Sequence, residues 1–310
     1  MRGHKKISWA VMGLGLQGNR LIKAIQNSRR AELTAIASEN KRDSFAKALK
    51  DSSIDAVVIA TPNDKHAKQV ISAARADKHI LCEKPLALSM REAQEIKQAV
   101  KKSGVKCFVN YHLRMHPEAQ KARSLIKQKK LGDLVYIEMQ WSIGGLAQKN
   151  LPPLPLHMRW RESPAQAGGG ALMARGVHLF DLLRFITGQE VSEVRAWSDA
   201  ARTMVDRTAI GIFLLDNGAP AVITTSKSIQ NADNHIAIYG TKGHLVLRDI
   251  FKSDPQKMYE KVFDSFADAI HGKKTYLATL EDGIATIAIT EAFAHSSLTK
   301  SARKITSVHD

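Results

Sequence analysis

Residues 54–62 read IDAVVIATP, apolar almost without interruption. Such a run is expected of a parallel strand buried on both faces, with helices covering the sheet above and below. The neighbouring sequence fits that frame. ISWAVMG (7–13), AELTAIAS (31–38), KHILCEK (78–84) and VKCFVNY (105–111) are short strand-like runs. Between them, NRLIKAIQNS (19–28), DKHAKQVISAARAD (64–77) and LSMREAQEIKQAVKKSG (88–104) place apolar residues at helical spacing. The last has an explicit start, the Ser89-x-x-Glu92 capping box, and Gly104 stands where a C-cap belongs. This alternation predicts a doubly wound parallel sheet.

Glycines between the first strand and first helix indicate what the sheet holds. In Gly13-x-Gly15-x-x-Gly18 the first glycine permits a tight turn, the second lets a pyrophosphate approach the backbone, and the third lets helix pack on strand. Leu16 and Gln17 open the helix, whose N–H groups and dipole suit phosphate. The competing reading is a purely structural turn. At the end of the second strand, Ser38 with Lys41 and Arg42 favours the 2′-phosphate of NADP, whereas Glu39 could take the ribose hydroxyls of NAD. The balance places NADP ahead of NAD.

A chain of 310 residues suits two domains. The expected division is 1–118, a dinucleotide-binding Rossmann domain, and 119–310, a substrate-binding and oligomerisation α+β domain. The net charge of +16 favours anionic partners such as phosphorylated sugars, nucleotides or sugar acids. Lys and Arg are spread along the chain with no aromatic-interleaved basic module, which argues against nucleic acid. Cys82 and Cys107 lie in apolar runs and read as buried thiols of a reducing compartment. The basic-then-apolar start resembles a signal peptide but lacks a small-x-small cleavage site, and no stretch approaches the roughly 18 apolar residues of a membrane helix. The expectation is a cytoplasmic protein with no membrane partner.

From about residue 134 the pattern changes. LVYIEMQW, EVRAWSDAA, TAIGIFLLD, APAVITTSKS, HIAIYG and HLVLRD read as strands, with hairpin signals at DNGAP and GTKG. They imply an open-faced, mainly antiparallel sheet that a helix over 169–187 can cover. Residues 151–170 read as a long irregular loop suited to a substrate lid. Residues 258–272 and 281–301 read as closing amphipathic helices.

The motifs AVMGLGLQGNR, IDAVVIATPNDKHAKQV, HILCEKPLALSMREAQEI, NYHLRMHPEAQKARSLI, RWRESPAQAGGGALMARGVHLFDLLRFITG and IYGTKGHLVL together resemble, in order and over nearly the whole chain, the glucose–fructose oxidoreductase/inositol dehydrogenase (Gfo/Idh/MocA) family. The resemblance implies a Rossmann domain and an open-faced sheet domain. It further implies oxidation or reduction of a hydroxyl or carbonyl on a sugar, inositol or related polyol with NAD or NADP, and homo-oligomers (dimer or tetramer) through the sheet. Lys84 of the E-K-P stretch inherits a place beside the nicotinamide, hydrogen-bonding the reacting hydroxyl. A cation beyond the carboxyl end of a parallel strand agrees, because it can stabilise an alkoxide or polarise a ketone. The competing reading pairs Lys84 with Glu83. Pro85 fixes the strand exit, and a cis peptide there remains open.

His178 of G-x-H-x-x-D would move the proton, and an imidazole suits that task. The alternative is a capping or core histidine. Asp181 lies one turn later. Thr61, Pro62, Asn63 and His66 at a strand exit, with Glu83, Trp160 and Arg161, are expected near the cofactor. Tyr111, Arg114, Arg175, Lys84 and His178 are expected near substrate. For Trp160, core packing competes evenly. His112 and His116 have i, i+4 spacing, but Pro117 and the absence of a Glu between them argue against metal, and none is expected.

Two departures stand out. Where the resemblance implies an Asp four residues before His178, this chain has Ala174, followed by Arg175. An inward Arg175 would favour a carboxylate or phosphate on the substrate, whereas an outward one leaves room for a regulator or scaffold with a degraded site. The interval between the second and third strands is also short, so the sheet is expected to lack an edge strand and to leave the adenosine end open.

Overall fold

The structure, a computed structural model, describes residues 6–38, 44–144, 154–200 and 204–305. In chain order the elements are β1 (Ile7–Met12), α1 (Leu16–Asn27), β2 (Ala31–Ala37), α2 (Ser44–Lys50), β3 (Ala56–Ile59), α3 (Asn63–Arg75), β4 (His79–Cys82), α4 (Met90–Ser103) and β5 (Cys107–Val109). A 3₁₀ turn (His112–Met115), α5 (Pro117–Lys127), β6 (Leu134–Ser142), a second 3₁₀ stretch (Leu156–Glu162) and α6 (Pro164–Ala167) follow. A π turn (Leu172–Gly176) then leads into α7 (Val177–Thr187), β7 (Val191–Ser198), β8 (Thr208–Leu215), β9 (Pro220–Ser226), β10 (His235–Gly240) and β11 (Gly243–Leu247). The chain closes with α8 (Gln256–Ile270), β12 (Ala278–Thr279), α9 (Leu280–Thr299) and β13 (Arg303–Lys304).

Two compact units result: 1–115 with 254–284, and 116–253 with 285–310. The first cut lies close to the expected boundary after residue 118. The contiguous division differs from the structure at residues 254–284, which return to the first unit, and the second cut falls inside α9. The reason is aromatic packing. Trp9 of β1 meets Phe263 and Phe266 of α8 edge-on, with ring centroids 5.0 and 4.6 Å away.

The first unit holds a six-stranded sheet in the order β12-β5-β4-β3-β1-β2. β1 to β5 run parallel, and β12 pairs antiparallel with β5. All four residues of β3 are fully buried, as its composition requires. Among the described residues β2 is the sheet edge, and one helix, α2, separates it from β3. Among the described residues no further strand lies beyond β2, in line with the short interval. At the start of α4 the Glu92 N–H donates to Ser89 Oγ at 3.2 Å. The Glu92 carboxylate reaches the Leu88 N–H instead of that of Ser89, and Gly104 ends the helix at φ 72°.

The second unit holds a seven-stranded sheet, β11-β10-β6-β9-β8-β7-β13, antiparallel except for the β6–β9 pair. Phe180 of α7, Phe213 of β8 and Phe293 of α9 pack together over one face. On the other face Ile210, Ile212 and Leu214 of β8 are exposed, with Trp197 opposite Ile210. Two expectations need correction. The helix read over 169–187 starts at 171 and opens with the π turn before continuing as α7, since Gly169 and Gly170 close on Asp206. The loop read over 151–170 is organised where described, by the 3₁₀ stretch and α6. Among the described residues no helix is long and apolar enough to cross a membrane, and both cysteines are buried free thiols.

Candidate active site

In the first unit β1 ends at Met12 and α1 begins at Leu16, so Gly13, Leu14 and Gly15 make the whole turn. Gly13 sits at φ +107°, and a Cβ there would lie 2.6 Å from the Ala60 carbonyl beyond β3. A Cβ on Gly18 would overlap the Gly13 carbonyl. A Cβ on Gly15 would meet nothing within 4 Å. The first and third glycines thus allow close backbone approach, and the second leaves a cradle. No side chain caps α1 and no acid occupies its first turn, so its leading N–H groups favour an anion. These residues fit a dinucleotide pyrophosphate. Ser38 follows β2, with its N–H and carbonyl both engaged by Ser44 Oγ. Arg42, with Glu39, Asn40 and Lys41, lies outside the described residues.

The strand exits bring the next groups together. Glu83 is buried directly after β4, and its Oε1 accepts from Gln17 Nε2 at 2.8 Å and Asn110 Nδ2 at 2.6 Å. Burial raises the Glu83 pKa, while the Lys84 charge and those two donors pull it back. The Tyr259 hydroxyl lies 3.5 Å from Gln17 Oε1, and burial together with the Glu83 charge pushes its pKa up to about 12. Lys84 is half-buried and joined to Pro85 by a cis peptide. Its charge also lowers the pKa values of His66 and His112, secondary to burial in both. His112 is held down to about 3 and lies tilted against Tyr259 at 4.6 Å.

His66 is buried with Nδ1 2.6 Å from the Pro85 carbonyl and Nε2 3.0 Å from that of Thr61. A neutral ring can donate to one of them only. The Thr61 hydroxyl donates to Gln69 at 2.7 Å, Pro62 precedes α3 and Asn63 begins it. Tyr111 is buried. Arg114 is engaged by Asp282 at 3.0 Å, in a pair that is almost fully buried on the arginine side. That carboxylate also receives the Thr279 N–H, so Arg114 has a structural partner within its own unit. His112 and His116 fall in different units. His116 caps α5 through Nδ1 and meets Ser253 Oγ at 2.9 Å.

In the second unit His178 is buried on α7, with Trp141 of β6 tilted against it at 5.6 Å. Trp141 stacks in turn on Phe251 at 4.9 Å, and Asp181 is buried one turn after the histidine. Asp206 organises the approach to α7. Its two carboxylate oxygens accept the Gly170 and Leu172 N–H groups at 2.6 and 2.7 Å, and its carbonyl accepts that of Ala171. A Cβ on Gly170 would overlap that carbonyl, which explains the third glycine of the GGG stretch. The π turn that follows carries Ala174 and Arg175. The Arg161 guanidinium lies over the Trp160 ring at 4.9 Å. Burial, and then the Arg161 charge, lowers the Arg175 pKa.

Sequence reasoning did not single out Trp141, Asp206, Lys227 or Tyr259. The GGG stretch signals a close backbone approach, but nothing in the sequence says that the approaching residue stands 36 positions later.

Comparison with known proteins agrees with this geometry. Residues 7–111 match the oxidoreductase family with an NAD-binding Rossmann fold, and residues 119–246 match the GFO/IDH/MocA C-terminal domain. With both family matches, the glycine cradle of the parallel sheet and the mainly antiparallel sheet that follows it in the chain are those of an NAD-binding oxidoreductase. The chain belongs to the GFO/IDH/MocA oxidoreductase family. It is 27% identical to the 1,5-anhydro-D-fructose reductase of Ensifer adhaerens, over 96% of this chain and 94% of that protein. It is 25% identical to the inositol 2-dehydrogenase of Rhizobium meliloti, over 94% and 96%. Its fold matches the solved structure of levoglucosan dehydrogenase in complex with NADH and L-sorbose with a TM-score of 0.88, at 22% identity over 98% of this chain and all of that one.

Proposed function

We propose that the protein interconverts a hydroxyl and a carbonyl on a sugar, inositol or sugar-derived substrate, using NADP in preference to NAD. The observation that carries this reading is the Gln17–Glu83 hydrogen bond at 2.8 Å. It ties the residue next to Lys84 to the first turn of α1, which supports a role for Lys84 at the strand exit that serves the glycine cradle. When bound, the nicotinamide supplies or takes the hydride. Lys84 hydrogen-bonds the substrate oxygen, stabilising negative charge on it in oxidation and polarising the carbonyl in reduction. His178 takes or gives the proton. Leu16, Thr61, Pro62, Asn63, His66, Trp160 and Arg161 belong to cofactor binding in this reading, and Tyr111, Arg114 and Arg175 to the substrate. Ser38 and Arg42 support the NADP preference. The exposed apolar face of the second sheet supports a homo-oligomer.

The test is steady-state reduction of NADP and NAD with a panel of sugars and inositols, beside Lys84→Ala. Turnover lost by at least 10³-fold in the variant, with dinucleotide affinity kept, is the expected result. Turnover equal in both proteins would sink the assignment. Ala174 favours one other reading, a dinucleotide-binding regulator. That reading predicts tight cofactor binding and no turnover on any substrate.

A further inference from the structure

Outside the residues given a role in hydride and proton transfer, the second unit gathers three cations. Arg175 sits on the π turn, Lys227 directly follows β9, Arg161 lies one residue before the end of the 3₁₀ stretch with its guanidinium over the Trp160 ring, and their charges act on one another. All three are half-buried. Two carboxylates, Asp206 and Glu162, face them. The oxygens of Asp206 are occupied by backbone N–H groups, and Glu162 is exposed. Arg175 Nη1 is buried without a hydrogen-bond partner among the described residues. Burial, offset in part by Asp206 and reinforced by Arg175 and Arg161, lowers the Lys227 pKa. Cations brought together away from water repel one another and lack solvation, so the arrangement favours an anion that meets their donors. Guanidinium forks held by a fixed π turn and by an aromatic ring suit a planar or tetrahedral oxyanion, and the ammonium adds a point charge.

We propose that Arg175 and Lys227, with the positive charge of Arg161 beside them, bind an oxyanion, a carboxylate or a phosphate, carried by the sugar or polyol substrate. The inference rests on the reading that the second unit binds the substrate. It narrows the class to sugar acids or sugar phosphates.

Calorimetric titration of the full chain with D-gluconate, D-glucose 6-phosphate and neutral D-glucose tests it. At least one oxyanion probe should bind tenfold or more tightly than D-glucose, and which one separates carboxylate from phosphate. Arg175→Met should remove that preference, and Arg175→Lys should restore part of it. Lys227→Met should weaken the same probe by a smaller factor, and it carries the test if Arg175→Met does not fold. Equal affinity for all three probes, or an oxyanion affinity untouched in both Met variants, would overturn the proposal. Turnover of neutral polyols without anion binding would overturn this inference and leave the oxidoreductase reading standing. Arg175-dependent anion binding without turnover on any substrate would do the reverse.

Discussion

The carboxylate of Glu83 takes the Asn110 side-chain amide at 2.6 Å, joining the exit of β4 to that of β5. Because Glu83 is buried and its pKa raised, each donor it keeps matters to its ionised form. Asn110→Ala should lower unfolding free energy by about 1–3 kcal/mol, since a buried acceptor loses a partner. Urea unfolding followed by circular dichroism measures this. A loss below ~0.5 kcal/mol would mean that water replaces the amide.

The glycine turn offers a separation of folding from binding. Gly13→Ala places a Cβ against the Ala60 carbonyl at a positive φ, and should destabilise the fold by at least about 1 kcal/mol. Gly15→Ala meets nothing within 4 Å and should leave the unfolding midpoint in place. It should still weaken dinucleotide binding by about tenfold, near 1.4 kcal/mol, because the methyl enters the cradle. Fluorescence titration with NADPH beside a melting curve reads both effects.

Acid should destabilise the first unit through His112. Its pKa is about 3 when folded against 6.5 as the ordinary value. Between those limits the unfolded chain binds a proton that the native chain does not, so stability rises with pH and levels off above 6.5. One such group contributes a slope of up to about 1.4 kcal/mol per pH unit. His66, also lowered by burial, acts in the same direction. Urea unfolding at several pH values between 4 and 7, repeated on His112→Gln, should show the slope reduced by up to one proton.

Asp206→Ala leaves the Gly170 and Leu172 N–H groups without their acceptor. The expected loss is at least about 2 kcal/mol, while Asp206→Asn, which keeps one carbonyl oxygen, should lose less. If the two variants unfold alike, the negative charge and not the hydrogen bonds is what the loop requires.

The exposed face of the second sheet should be an interface between copies of this chain. Ile212, flanked by Ile210 and Leu214, is the centre of its apolar stripe. Ile212→Lys should reduce the mass found by light scattering to that of one chain with the circular dichroism unchanged. An unchanged mass would place any association elsewhere.

Local signals were read well from the chain. The alternation points to the parallel sheet, the short gap after β2 to an edge with no further strand among the described residues, and Gly104 to a helix end. Long-range partners were not legible. The apolar face of α8 is visible in its spacing, but an amphipathic pattern does not name the surface it meets, and so Trp9 was not foreseen. Arg114 looked like a loop cation because its partner Asp282 lies 168 residues away. The capping box was placed correctly, with its carboxylate one residue off.

The π turn ahead of α7 holds one residue more than an α-helical turn of the same rise. Deleting a single position at Gly176 would let the stretch wind as an ordinary helix, turning what precedes it by about 100° about the axis. His178 would keep its place on α7 while the guanidinium changed direction. The group proposed to choose the substrate and the group proposed to move the proton therefore sit on opposite sides of a one-residue insertion, and lineages of this enzyme could exchange the first without disturbing the second.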